Sequence, residues 1–199
     1  MPSKHRKYQS YPAKYILRHA DALIAQTEEM KQEMAPFYHV HPERITVINN
    51  PIDKSVIEQS IREKYRYDAT DCVHYIAVGR ICPQKDYRTL IKAFALVLEK
   101  EPKSHLDIIG VDWDMAYRKS LDALIMQLDI GRSVTFHGFQ ENPFKYMEAA
   151  DVFVLSSVHE GLPNVMLEAM YLGKPVVVTR SIPYIAQVVH DGVNGYAVS

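Results

Sequence analysis

Two loops in this sequence carry side chains of the kinds that grip an anion and a diol. The first, Gly79-Arg80-Ile81-Cys82-Pro83-Gln84-Lys85-Asp86, follows an apolar run. Arg80 offers a planar fork of donors and Lys85 a compact point charge, a combination suited to a diphosphate. Gly79 has no Cβ and lets a ligand approach the backbone. Two surface cations flanking a loop would present the same residues, so this segment alone leaves both readings open. It is neither a G-x-x-x-x-G-K-[ST] loop nor G-x-G-x-x-G, which weighs against ATP hydrolysis and dinucleotide binding. The second loop is Ser156-Ser157-Val158-His159-Glu160-Gly161-Leu162-Pro163-Asn164. Pro163 and Asn164 suit the first turn and cap of a helix, whose exposed amides make an anion site. Glu160 lies in the loop and Glu168 eight positions later, where a carboxylate can accept hydrogen bonds from two adjacent hydroxyls. A solvated helix face is the plain alternative for Glu168. Its apolar neighbours Ala169, Met170 and Leu172 favour a partnered carboxylate instead.

The elements that must position these loops are short apolar runs alternating with helical periodicity. A strand is expected over 73–78, closed by Gly79. A helix follows over 87–100, where Leu90, Ile91, Phe94, Val97 and Leu98 recur at three- and four-residue spacing. Further strands are expected over 106–110, 134–136, 152–155 and 176–178, with helices over 115–128, 144–150 and 165–172. Upstream, Thr27 fits an N-cap with Glu28 and Glu29 in the first turn. That helix is expected to run to about Met34 and to be ended by Pro36. Ile45-Thr46-Val47-Ile48 reads as a strand and Asn49-Asn50-Pro51 as a linker, which divides the chain into 1–50 and 51–199. Strand, helix, strand repeated at this spacing, with continuously apolar strands, predicts an α/β domain with a doubly wound parallel sheet, Rossmann-like. Ligands of such folds bind at the carboxyl ends of the strands, here just after Val78, Ile109, Phe136 and Leu155.

Composition narrows the partners. Among 199 residues, 23 Lys and Arg stand against 24 Asp and Glu, a net charge of −1, which argues against a general nucleic-acid binder. Two cysteines, Cys72 and Cys82, make neither a disulfide framework nor a zinc motif, and fit a reducing cytoplasm. His39 and His41 lack flanking carboxylates at ligand spacing, so no metal is expected. His137 and His159 receive no catalytic role. No apolar run approaches the ~20 residues of a spanning helix. Residues 1–20 hold Lys4, Arg6, Lys7, Lys14 and Arg18 with no acid. Such a segment suits a peripheral contact with anionic head groups at the cytoplasmic membrane face, or simply a solvated arm or outer helix face.

The combination of motifs is more specific than any one of them. Glu160-Gly161-Leu162-Pro163-Asn164, Glu168-Ala169-Met170 and Gly173-Lys174-Pro175-Val176-Val177 resemble the glutamate-x7-glutamate signature of the retaining glycosyltransferases of family four, group 1. Gly79-Arg80 with Lys85 resembles that family's diphosphate clamp, and Asp191-Gly192-Val193-Asn194-Gly195 matches its closing segment. The resemblance covers roughly residues 45–199. It implies the C-terminal, donor-binding half of a two-domain GT-B fold. Arg80 and Lys85 would hold the diphosphate of a UDP- or GDP-type sugar, and Glu168 its ribose. Glu160 would sit beside the donor sugar as the catalytic-site carboxylate, with the amides of Gly161, Leu162, Pro163 and Asn164 completing a cradle. The turn at Gly138 and Phe139 would meet the nucleobase. No cofactor or metal is implied.

The same resemblance places residues 1–50 as a remnant of the acceptor domain. It also leaves the donor domain short at its C-terminus, so this chain is expected to bind donor without transferring sugar. A glycan or lipid-linked acceptor would engage the missing N-terminal domain. A nucleotide-sugar epimerase on the same scaffold is one alternative. A flavodoxin-like or receiver-like regulatory module is another, although a receiver needs an acidic cluster where Gly79-Arg80 stands.

Overall fold

A computed structural model describes residues 11–68 and 71–199. The chain divides into two compact units, Met1–Pro51 and Ile52–Ser199. In the first, helix α1 (Tyr11–His19), strand β1 (Leu23–Ala25), helix α2 (Glu28–Tyr38) and strand β2 (Ile45–Val47) follow one another. β1 and β2 pair in parallel over a small core of Leu23, Ala25, Ala35, Tyr38, Val40 and Ile45. Lys14 and Arg18 of the basic segment lie on α1. Lys4, Arg6 and Lys7 fall outside the described residues.

Thr27 caps α2 as expected, its Oγ1 accepting the Met30 amide at 3.2 Å. Pro36 does not end that helix. It lies inside the last turn, and the helix runs on to Tyr38. A proline there forfeits one amide of the ladder. The loss is offset because Ala35 and Tyr38 are buried and His39 turns left-handed at φ 53°. The Val40 amide then donates to the Ala35 carbonyl at 3.0 Å, closing the helix as a left-handed cap does.

The second unit begins with helix α3 (Lys54–Ser60). It continues with β3 (Val73–Val78), α4 (Tyr87–Lys100), β4 (Ser104–Ile109), α5 (Met115–Gln127), β5 (Val134–Gly138) and α6 (Phe144–Ala149). β6 (Val152–Leu155), α7 (Asn164–Tyr171), β7 (Val176–Thr179), α8 (Ile185–Val188) and β8 (Gly195–Val198) complete it. The strands form one parallel sheet in the order β5-β4-β3-β6-β7-β8. The chain builds outward from β3 to β5, returns to lay β6 against β3, and builds outward the other way. The switch point therefore falls between β3 and β6. Both faces are covered. Leu90, Ile91 and Phe94 of α4 and Leu121, Leu124 and Ile125 of α5 pack with Ala77, Leu106 and Ile108 on one side. Tyr146, Met147, Met166, Ala169 and Ile185 pack with Ile76, Phe153, Val176 and Val178 on the other. α3, α8 and β8 have no counterpart in the sequence reading. Among the described residues no helix is long and apolar enough to cross a membrane.

The sheet is not wholly apolar. Asp107 of β4 is buried and sits between two imidazoles. Its Oδ2 is 3.0 Å from Nδ1 of His74 on β3, and its Oδ1 is 2.7 Å from Nε2 of His137 on β5. Tyr67 stacks on the His74 ring with centroids 3.8 Å apart, and the His74 amide donates to Asp151 at 2.8 Å. A carboxylate buried in a covered sheet must be fully partnered, and here it cross-links three strands. Replacing Asp107 with alanine removes an acceptor from both rings and should cost about 3 kcal/mol of stability. Urea unfolding of Asp107→Ala against the parent measures it.

Candidate functional site

The carboxyl ends of β3 and β6 are stitched together by their following loops. A short 3-10 turn, Pro83–Lys85, brings Gln84 and Lys85 against the loop after β6. The Val158 amide donates to the Gln84 carbonyl at 2.9 Å. Gln84 Nε2 donates to the His159 carbonyl at 3.0 Å, and Ser156 Oγ to the Lys85 carbonyl at 2.7 Å. Across this seam Lys85 Nζ lies 2.8 Å from Glu160 Oε1, with side chains only 13% and 10% exposed. Val78, Lys85, Tyr87, Leu155 and Ser156 line a small recess at the same place.

Two glycines make the seam possible. A Cβ on Gly79 would stand 2.9 Å from Cε of Lys85, so this glycine clears the path of the lysine stem. A Cβ on Gly110 would fall 1.9 Å from the Gly79 carbonyl oxygen, which no side chain survives. Tyr87, fully buried against this turn, donates its hydroxyl to that same carbonyl at 2.9 Å.

Arg80 points elsewhere. Its guanidinium carbon lies 5.0 Å from the centre of the Trp113 ring in the loop after β4, while Lys85 engages Glu160 after β6. The two cations expected to converge on one diphosphate thus engage different partners. Among the described residues Arg80 has neither an ion pair nor a hydrogen bond from its guanidinium.

Glu168, on α7, likewise accepts no hydrogen bond from the described residues. It is half-buried, and burial raises its carboxyl pKa above the usual 4.5. Gly161 and Asn164 are exposed and Leu162 and Pro163 buried. α7 begins at Asn164 and takes Pro163 as its cap position with no side-chain cap, so Asn164 is the first helical residue rather than the cap. The expected cradle of four amides is also narrower. Pro163 has no N–H, and the Asn164 amide donates to the Leu162 carbonyl at 2.9 Å, which leaves Gly161 and Leu162. Gly138 takes φ +68° at the end of β5, and Phe139 beyond it is 73% exposed. Sequence reasoning missed Trp113 and the role of Asp107. An acid in an otherwise apolar strand was the readable signal for the second, and nothing in the motif pattern signalled the first.

The family model for group 1 glycosyl transferases matches residues 56–199, and a glycosyltransferase family 4 model matches residues 2–56. The chain belongs to the group 1 glycosyltransferase family. It is 34% identical over 170 residues to an uncharacterized glycosyltransferase of Methanocaldococcus jannaschii, covering 83% of this chain and 41% of that protein. It is 31% identical over 172 residues to the lipopolysaccharide core biosynthesis glycosyltransferase LpsE of Rhizobium meliloti, covering 86% of this chain and 48% of that protein. The chain thus spans less than half the length of these relatives. The crystal structure of Anabaena HepE in complex with UDP and glucose superposes with a TM-score of 0.78 at 23% identity, over 98% of this chain and 55% of that one. At that identity the likeness establishes the GT-B-type fold.

Because burial raises the folded-state pKa of Glu168, ionising it opposes folding at neutral pH. That penalty fades as pH falls through the raised value and is gone below the unfolded value near 4.5. Glu168→Gln should therefore be more stable than the parent at pH 7 and no more stable at pH 4, read by urea unfolding at both. Lys85→Ala should lower stability by about 3–5 kcal/mol, since it strands a buried carboxylate. Adding Glu160→Gln to it should recover much of the loss in the same assay.

Proposed function

We propose that this chain binds a nucleoside diphosphate sugar as the donor-binding part of a retaining glycosyltransferase. The observation that carries the reading is a pair of uncompensated groups of opposite sign, Arg80 and Glu168. Arg80 follows β3 and Glu168 stands on the helix that follows β6, the two strands of the switch point, while Lys85 and Glu160 there are paired with each other. A free guanidinium suits phosphate oxygens, and a half-buried free carboxylate suits the two hydroxyls of a ribose. In this reading Lys85 exchanges part of its bond to Glu160 for the diphosphate as donor enters. Glu160 is then left beside the sugar. Negative charge that develops on the departing diphosphate is met by Arg80, Lys85 and the amides of Gly161 and Leu162. Gly138 and Phe139 face the nucleobase. The acceptor, a glycan or a lipid-linked glycan, is oriented by the facing domain of the enzyme.

HepE, which shares the fold, is described with UDP bound, and UDP is accordingly the first probe for this chain. A receiver-like module finds no support, because Gly79 and Arg80 occupy the strand end where its acids would be.

Calorimetry with UDP and uridine tests the proposal. UDP should bind more tightly than uridine. Arg80→Ala should weaken UDP about tenfold or more, from the loss of a charge-assisted contact, and leave uridine unchanged. Glu168→Ala should weaken both. Equal affinity of the parent for UDP and uridine, with GDP no better than guanosine, would overturn the reading.

A further inference from the structure

The loop after β4 holds the sole tryptophan of the chain, Trp113, 65% exposed at the ligand end of the sheet. Its backbone is nonetheless fixed. The Ile81 amide donates to the Val111 carbonyl at 2.9 Å, and the Asp114 amide to the Ile81 carbonyl at 3.1 Å. Ile81 and Asp112 form a parallel bridge. Asp114 then caps α5 through the Tyr117 amide at 2.9 Å. The segment bearing Arg80 and the segment bearing Trp113 are thereby locked side by side.

The acids on either side of the indole are both occupied by other groups. Asp112 is 3.5 Å from Arg118 Nε, and Arg118 is further held by Asp122 and by the Phe136 ring 3.7 Å away. Asp114 is spent on the helix cap. Among the described residues Arg80 is therefore left with the indole face as its support, at 5.0 Å. A carboxylate in that place would hold the guanidinium more firmly and would also neutralise it. An aromatic face orients a cation through its quadrupole and leaves all five N–H donors free.

We propose that Trp113 is a positioning residue for Arg80, presenting an oriented and un-neutralised guanidinium to the diphosphate of the donor. The proposal rests on the diphosphate reading above and adds a residue to it that the motif does not contain. Trp113 acts through Arg80 and makes no contact with the nucleoside. Its effect must therefore appear with phosphate-bearing ligands, depend on Arg80, and survive replacement by another ring.

A mutant cycle with the full chain tests this, using UDP and uridine as probes and the emission of Trp113 as a second readout. A cation–π contact at an exposed site corresponds to about a two- to fivefold change in an equilibrium constant. Trp113→Ala should weaken UDP by about that factor and leave uridine unchanged, and Trp113→Phe should retain most of the parent affinity. In an Arg80→Ala background, Trp113→Ala should cause no further loss. Arg80→Ala alone should shift Trp113 emission in the absence of ligand, and UDP but not uridine should shift it in the parent. Urea unfolding of each variant separates lost positioning from lost folding, and the emission shift of Trp113 on Arg80→Ala carries the test should Trp113→Ala unfold, an unchanged emission overturning the inference. If the parent binds UDP with an Arg80 contribution but Trp113→Phe and Trp113→Ala are silent, this inference is wrong and the diphosphate reading stands. Equal weakening of uridine and UDP would make the indole a base platform and likewise overturn it. If the parent fails to bind UDP and GDP, both readings fall together.

Discussion

The ion pair between Lys85 and Glu160 is the constraint on which the strand-end architecture depends. Two charges at 2.8 Å, nearly removed from solvent, have given up most of their hydration and must remain together to be tolerated. Keeping them together fixes the loop after β3 against the loop after β6, and that seam lies at the point where the sheet reverses its direction of growth. Gly79 and Gly110 are consequences of the same demand. The first gives the lysine stem its path, and the second lets the ends of β3 and β4 close on each other.

Internal matching at the seam gives meaning to the groups that are not matched. Arg118 is shared between Asp112 and Asp122, and the buried Asp107 is shared between His74 and His137. Beside these matched groups, the exposed Arg80 rests on an indole, and the half-buried Glu168 has no donor among the described residues.

The Asp107 network supplies rigidity of another kind. Strand pairing alone sets spacing and register, but the two imidazoles bind β3 and β5 to a single side chain of β4. His137 immediately precedes Gly138, so the turn that closes β5 hangs from a buried, hydrogen-bonded anchor.

The sequence by itself determined the α/β alternation, the doubly covered parallel sheet and the two loops that hold Arg80, Lys85 and Glu160, with Glu168 on the helix that follows the second. These are properties of local pattern: periods of 3.6, continuous apolar runs, and glycine or proline at element ends. It could also have flagged Asp107, since an acid within an apolar strand must find partners. Local pattern failed where a tertiary contact outweighed it. Pro36 stays inside its helix because the burial of Ala35 and Tyr38 offsets one missing amide. Pairing was decided by the fold alone. Lys85 and Glu160 are 75 positions apart, and Arg80 and Trp113 are 33 apart. Whether a charge is compensated depends on which loops the sheet order brings together, and sheet order is set by packing over the whole unit rather than by any segment of it.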